Sequence, residues 1–469
     1  MFEKITLPGV TDDESDTLNR LLEQLDAKSD RNLLRASYYD GKRALRQVGS
    51  VIPPQYYRLG LVLGWSAKAV DALARRCSLD GFMWPDGDID ALGATELWDG
   101  NYFGSEVSAG LTSGFIHGVV FAVNTLGGEG EPPSLIHMKD ALSATGDWSL
   151  RRRSMDNLVS VTERDGDHRP TGLALYLDGV TVWAEKDSSG WSVDRQEHPW
   201  GVPVEALTYK PRVGRPFGSS RISRPVMSLH DQALRAVIRM EGHMDVYSFP
   251  EMWMLGADES IFKNADGSQK AAWQVMLGRI KGIPDDDEAV NPRADVKQFP
   301  ASSPEPHLAN LNAIAKMFAR EASLPDTAVA ITDVANPTSA ESYDASQYEL
   351  IAEAEGAVDD FSPGLRRLFA RGLAIQNGEE GVPAEWASIA PRWRDPRYLS
   401  RAAQADAGLK QLQAMPWLAE TSVGLELLGL SEQQIAQAQS ERRRAAGAAS
   451  VRDALRAVAT DDTGAVDGD

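Results

Sequence analysis

The chain holds 469 residues, 42% of them apolar and 25% charged, and carries a formal net charge of −20 with a pI near 4.9. That length exceeds what one hydrophobic core sustains, so two or more domains are expected; 68 acidic against 48 basic side chains exclude a protein that wraps nucleic acid by neutralising phosphates over its whole surface. The single cysteine, Cys77, excludes an internal disulfide framework and fits a reducing compartment, and no apolar run is long enough to span a bilayer.

The opening MFEKITLPGVTDDESD lacks the basic-then-apolar order of a secretory leader. TDDESDTLNRLLEQLDAKSDRNLLRASYYDG, from Thr11 to Gly41, predicts a helix: acidic first turn, leucines at helical spacing, a glycine stop. YRLGLVLGWSAKAVDALARRCSL, from Tyr57, predicts a second helix and places Cys77 on it as core packing rather than as a nucleophile. Residues 110–150 are mixed and set no order. From 157 to 210 the period changes to two, and the segments NLVSVTERDG, GLALYLDG, VTVWAEKDSSG, WSVDRQEH and PVEALTYKP, broken by Asp-Gly and Ser-Gly turns, predict an antiparallel meander.

After RVGRPFGSSRISRP a long helix is expected over VMSLHDQALRAVIRMEGHMDV, with Val226, Leu229, Ala233, Val237, Met240 and Met244 as its apolar stripe and Arg235, Arg239 and His243 on another face. A small, proline-broken segment follows from Tyr247 to Pro304. The next helix, HLANLNAIAKMFAREA, sets Leu308, Leu311, Ala315 and Phe318 on one face and Asn312, Lys316 and Arg320 on another. Between Pro325 and Pro337 lies a polar loop; Thr338 then precedes Glu341 with the T-x-x-E spacing of a capping box, which predicts a helix from Ser339 to about Gln376. A final helical region, RAAQADAGLKQLQAMPW and GLSEQQIAQAQSERRRAAG, ends in an Ala/Asp/Gly tail too poor in apolar surface to fold alone. The fold class expected is α+β, mainly helical.

Catalytic signatures are sparse. GRPFGSSR, Gly214 to Arg221, has three residues between its glycines and no lysine before the serine, so it reads as a turn before a helix, with Ser219 or Ser223 near the cap, rather than a nucleotide loop. PDDDEAV, Pro284 to Val290, lacks the alternation and central glycine of a calcium loop and reads as a solvated turn. No metal motif and no G-x-S-x-G elbow occurs, nothing among the 68 acidic residues singles out a catalytic pair, and no cofactor is called for. The pairs Arg235/Arg239 and Lys316/Arg320 read alone as solvated helix faces.

Taken together, YYDGKR, GRPFGSSRISRPVMSLHDQALRAVIRMEGHMDVYSFPEMWMLGAD, VKQFPASSPEPHLANLNAIAKMFARE and NPTSAES, in the order helix, small insertion, helix, polar loop, very long helix, resemble the phage portal protein family over about residues 15 to 445, in its SPP1-like branch. That resemblance implies a homo-oligomeric ring, usually a dodecamer, at one vertex of the virion capsid, through which double-stranded DNA enters and leaves without sequence recognition. It assigns 1–222 to a wing, 223–247 to a stem helix, 248–304 to a clip, 305–323 to a second stem helix and 324–338 to a tunnel loop. Further along, 339–394 would be a long wing helix and the segment after it, 395–445 a crown, and 446–469 a disordered tail.

It implies further that Thr332, Asp333, Asn336, Thr338 and Ser339 line the tightest point of the channel, and that Arg235, Arg239, Lys316 and Arg320 face the channel or a neighbouring subunit. With Asp333 and no Lys or Arg, the loop is expected to act passively or as a valve rather than to grip DNA. Implied partners are the terminase large subunit, head-tail connector or adaptor proteins, and the major capsid and scaffold proteins, with assembly in the host bacterial cytoplasm and no membrane. No enzymatic activity is expected; the alternatives are a hydrolase of unrecognised type and a minor capsid scaffold protein without a channel.

Overall fold

The first ordered helix shows how local chemistry starts the fold. Thr11 caps α1 (Asp12–Tyr39): its side chain accepts from the Glu14 amide while the Glu14 carboxylate accepts from the Thr11 amide at 2.9 Å, a reciprocal cap beside an acidic first turn. The computed structural model describes residues 4–42, 61–247, 252–255, 263–264, 266–268, 280–283, 295–298, 302–330, 345–397 and 401–461. The chain divides into two units, Met1–Pro396 and Arg397–Asp469.

In the first unit α1 ends where Gly41 adopts φ 66°, and its buried face of Leu18, Leu21, Leu22 and Leu25 packs on one side of a five-stranded antiparallel sheet, against Val159, Leu173, Leu175 and Val182. That sheet runs β4 (Ala144–Ser149), β5 (Ser154–Arg164), β6 (Pro170–Leu177), β7 (Val180–Asp187) and β8 (Gly190–Glu197) in strict sequence order. The expected meander is therefore present, with two corrections. It begins one strand earlier, at β4, and its expected last strand leaves it: β9 (Val204–Thr208) pairs instead with β2 (Val119–Leu126), which also pairs with β3 (Ser134–Asp140). Every residue of β9 is buried, so it lacks the inside-outside alternation that a half-solvated meander strand keeps.

The second helix is shorter than its periodicity suggests. Tyr57 to Gly60 lie outside the described residues, 61–64 are not helical, and α2 spans Trp65–Ala74. Cys77 thus sits beyond the helix rather than on it, buried, with its thiol pushed up to about 12 by burial, and inert as expected. Strand β1 (Leu79–Met83) follows and pairs antiparallel with the distant β13 (Ala390–Trp393). Helices α3 (Ala94–Gly100) and α4 (Phe103–His117) come next, and the unordered stretch 110–150 holds the end of α4 and then β2, β3 and β4.

The principal core forms where α2, α4 and β2 meet a 29-residue helix far along the chain, numbered α7 below, Tyr348–Gln376. Phe361, Leu365, Leu368, Phe369 and Leu373 of that helix are buried, and Phe369 stacks on Phe82 with ring centroids 3.8 Å apart. The expected start at Ser339 and the Thr338–Glu341 cap lie outside the described residues.

Two further helices leave this body, α5 (Arg224–Tyr247) and α6 (Glu305–Glu321), and between them in sequence lies a small mixed sheet of β10 (Met252–Leu255), β11 (Ile280–Ile283) and β12 (Asp295–Gln298). Its order is β11-β10-β12, with β10 parallel to β11 and antiparallel to β12. The second unit is helical: α8 (Arg401–Ala414), α9 (Ser422–Leu427), capped by Thr421 at the Gly424 amide, and α10 (Glu432–Asp461). Residues 446–461 of the expected tail are helical, and 462–469 lie outside the described residues.

Candidate functional site

Helices α5 and α6 pack along each other through Ala233 and Ala236 on one side and Leu311 and Ile314 on the other, with Leu63 and Trp65 closing the cluster at the body. Small residues facing branched ones let the two axes approach closely. The apolar faces are buried unevenly. Ala233, Leu311, Ala315 and Phe318 are buried, whereas Met244 and Leu308, both read as stripe residues, are 42% and 37% exposed. Within one chain the outer turns have only each other to pack on.

The polar faces carry the cations expected there. Arg239, Lys316 and Arg320 are exposed and Arg235 is half-buried. Among the described residues, none of the four enters an ion pair or side-chain hydrogen bond, and no described contact brings them together. The other predicted site residues, Thr332, Asp333, Asn336, Thr338 and Ser339, lie outside the described residues, as do Pro284 to Val290.

At the outer end of the helix pair two histidines meet. His243 and His307 lie edge to face with centroids 4.8 Å apart and Nδ1 of the first 2.9 Å from Nε2 of the second, while His243 Nε2 is 3.1 Å from the Ser302 carbonyl. At the inner end the anchorage is buried and polar. Ser223 Oγ accepts from the Val226 amide and starts α5, which agrees with the turn-before-a-helix reading of the preceding segment. One turn on, His230 Nδ1 is 2.9 Å from Ser66 Oγ of α2, and Asp231 accepts from the Tyr38 hydroxyl of α1 at 2.9 Å. Burial holds His230 below the ordinary histidine value although Asp231 pulls the other way.

The strongest joint is one that sequence reasoning missed. Arg221 is 6% exposed; its Nε donates to the Ala69 carbonyl of α2 at 2.5 Å, Nη2 to the Ala322 carbonyl just past α6 at 2.6 Å, and Nη1 to the Tyr209 hydroxyl at 3.2 Å. Glu353 of α7 supplies the countercharge 3.6 Å away and also accepts from Tyr209 and from Lys210. Burial pushes the Glu353 carboxyl up, yet the hydrogen bonds from Lys210 and Tyr209 and the charges of Lys210 and Arg221 outweigh it and leave the group below its ordinary value. The root of α5, the end of α6, α2 and the long helix are thereby tied to one guanidinium. Arg221 sits inside GRPFGSSR, and only its place directly before a predicted helix start hinted at a joint.

A second buried ion-pair set clamps the long helix to the sheet beneath it. Glu205 of β9, 2% exposed, accepts from Arg367 at 2.8 Å and from Arg371 at 2.6 Å. The body from which α5 and α6 extend is therefore held by apolar packing and by these two buried ion-pair sets.

The family model described as phage portal protein, SPP1 Gp6-like, matches residues 18–448. The chain belongs to this portal protein family. It is 24% identical over 416 residues to the portal protein of Mycobacterium phage L5, covering 86% of this chain and 84% of that one, and 24% identical over 419 residues to that of Mycobacterium phage D29, covering 87% and 83%. Among solved structures it is similar to the neck of an empty GTA particle computed with C6 symmetry, at 15% identity and a TM-score of 0.42, over 79% of this chain and 90% of the other. Portal family membership carries the role expected from the sequence, a channel at the capsid vertex for packaging and ejecting phage DNA.

Proposed function

We propose that this portal family chain acts as one subunit of a closed ring, with α5 and α6 as the wall of its channel. The observation that carries the reading is the helix pair itself: packed through Ala233, Ala236, Leu311 and Ile314, rooted on the buried Arg221, and presenting unpaired Arg239, Lys316 and Arg320 outward. A ring joins unlike faces of successive copies and closes by rotation, so each copy needs one apolar face for its own partner helix and further faces for neighbours and for the lumen. The exposed Met244, Leu308 and Met317 suit a neighbour; the scattered cations suit a lumen past which DNA of any sequence slides.

In this reading the channel is a passive conduit without catalysis. The mixed sheet between α5 and α6 docks the terminase large subunit during packaging and the head-tail connectors afterwards. The loop containing Asp333 and Asn336 narrows the passage, and the wing contacts the major capsid and scaffold proteins. The usual ring number for the family, a dodecamer, is the expected stoichiometry.

The test is the mass of the purified chain by light scattering, with negative-stain images of the same sample. Closed rings with a central hole are expected. A chain that stays monomeric even with its scaffold and capsid proteins present would overturn the ring and reopen the hydrolase alternative.

A further inference from the structure

A cavity of about 250 Å³ opens on the first unit between α1, the start of β2 and the loop from Gly214 to Gly218, a few residues before α5. Lys28, Arg31 and Arg35 line it from α1, at spacings of three and seven residues that set them on one helix face, and Arg215 closes it from the loop. No carboxylate is among its lining residues. In a chain of net charge −20 that is an unusual concentration of positive charge.

The geometry of the cations is built. Lys28 Nζ donates to Thr145 Oγ1 at 3.1 Å and lies 5.7 Å from the centroid of the Phe217 ring, and Arg35 donates to the His117 carbonyl at 2.8 Å. Gly218 holds the loop against the body: at φ 65° a Cβ would fall 2.2 Å from the Tyr209 carbonyl oxygen, so only glycine lets the backbone pass there. The nearby carboxylates are committed elsewhere. Asp147 binds Arg20 at 2.5 Å and Asn157 at 2.9 Å, and Asp140 Oδ1 accepts from Ser143 Oγ and from the amides of Leu142 and Ser143. Burial, together with the charges of Arg31 and Arg215, brings Arg35 down to about 10.

Two buried polar atoms on the same wall have no partner among the described residues. Asn32, 2% exposed, donates its Nδ2 to the Ala141 carbonyl at 2.7 Å and leaves Oδ1 without a hydrogen bond; His117, 7% exposed, leaves Nδ1 likewise. A buried acceptor without a donor is costly. Both atoms lie below the accessible surface, so the groups that meet a ligand here are the four cations, which favour a dianion over a monoanionic phosphodiester.

We propose that this pocket binds a dianionic phosphate, either inorganic phosphate or the terminal group of a phosphomonoester, rather than the phosphodiester backbone of DNA. Lys28, Arg31, Arg35 and Arg215 neutralise its oxygens. The inference stands on the pocket alone and is independent of the ring and channel.

The test is calorimetric titration of the full chain at pH 7 in a low-salt zwitterionic buffer. The probes are inorganic phosphate, glycerol phosphate, sulfate and dimethyl phosphate, each against the unaltered protein and the Arg31→Ala/Arg215→Ala double variant. Both arginines are exposed and without an ion pair among the described residues, so the variant keeps its fold. Saturable one-to-one binding of phosphate is expected, weaker by at least about tenfold in the double variant and for dimethyl phosphate. Glycerol phosphate binding as well as phosphate would assign the site to phosphomonoesters; phosphate binding alone would assign it to the free ion. Absence of saturable phosphate binding, or binding unchanged in the double variant, would overturn the site. Sulfate binding like phosphate fits a site for dianions; dimethyl phosphate matching phosphate would overturn the preference for a dianion.

Discussion

Arg221 spends one side chain on three elements that sequence places far apart. Removing it leaves Glu353 with Lys210, 2.6 Å away, as its cation and strips hydrogen bonds from the carbonyls of Ala69 and Ala322. Arg221→Ala is expected to destabilise the first unit by about 2–6 kcal/mol in denaturant titrations, from two buried carbonyls left without donors at about 1–3 kcal/mol each. Arg221→Lys should restore only part of this, because an ammonium cannot hold the Ala69 and Ala322 carbonyls and Tyr209 with a planar fork; full restoration by lysine would reduce the joint to simple charge.

His117 predicts a pH dependence. Burial lowers it from its ordinary 6.5 to about 4, Asp140 opposing and Arg35 and Arg31 assisting. The folded state binds the proton less well than the unfolded chain. Stability from this group is therefore fully present above pH 6.5, falls by about 3 kcal/mol as pH drops toward 4, and is level below that. The paired carboxylates Glu14, Asp147 and Glu353, all held below their ordinary values, act at lower pH, and His230, His137 and His198, lowered in the same sense as His117, add to the slope. His117→Gln should flatten the pH dependence of the melting temperature between 6.5 and 4, and an unchanged slope would assign that dependence to the other histidines.

Among the elements, helices were legible where a cap and a sustained apolar face coincided. α1, α5 and α6 stand where their stripes placed them, but the second helix lost its expected first turns, because apolar residues at 61–63 satisfy a helical pattern without being helical. Alternation located β5 to β8, yet it says nothing about which sheet a strand joins, and β9 went to β2 because the long helix covers it from a distance of more than a hundred residues in sequence. The small sheet of β10, β11 and β12 exchanges pairing only among its own strands. Deleting residues 248–304 and joining α5 to α6 with a short linker should leave the cooperative melting of the first unit intact while abolishing motor docking. DNA packaging by such a deletion would show that docking lies elsewhere.

For the whole molecule, the expected conduit rests on charge as much as on shape. A net charge of −20 keeps the chain from clinging to DNA, and local cations on α5 and α6 offset it where DNA would pass. Reversing Asp333 to Lys, or replacing Asn336 with Leu, is expected to impair DNA passage in a packaging assay more than it impairs ring formation by negative stain. Normal packaging with normal rings would move the constriction away from this loop.

Composition, periodicity and capping chemistry by themselves determined the α+β class, the absence of a disulfide framework, the order of the main helices and the cation stripes on two of them, since each depends on residues within a few turns or strands of one another. Tertiary structure decided the joints and the pocket. Arg221 meets Ala69, Ala322 and Glu353, Glu205 meets Arg367 and Arg371, and Lys28 and Arg35 meet His117 and Arg215, only because distant segments fold onto one core. A side chain's pattern in sequence reports which way it faces on its own element; which charge it will find there is set by the packing of the others.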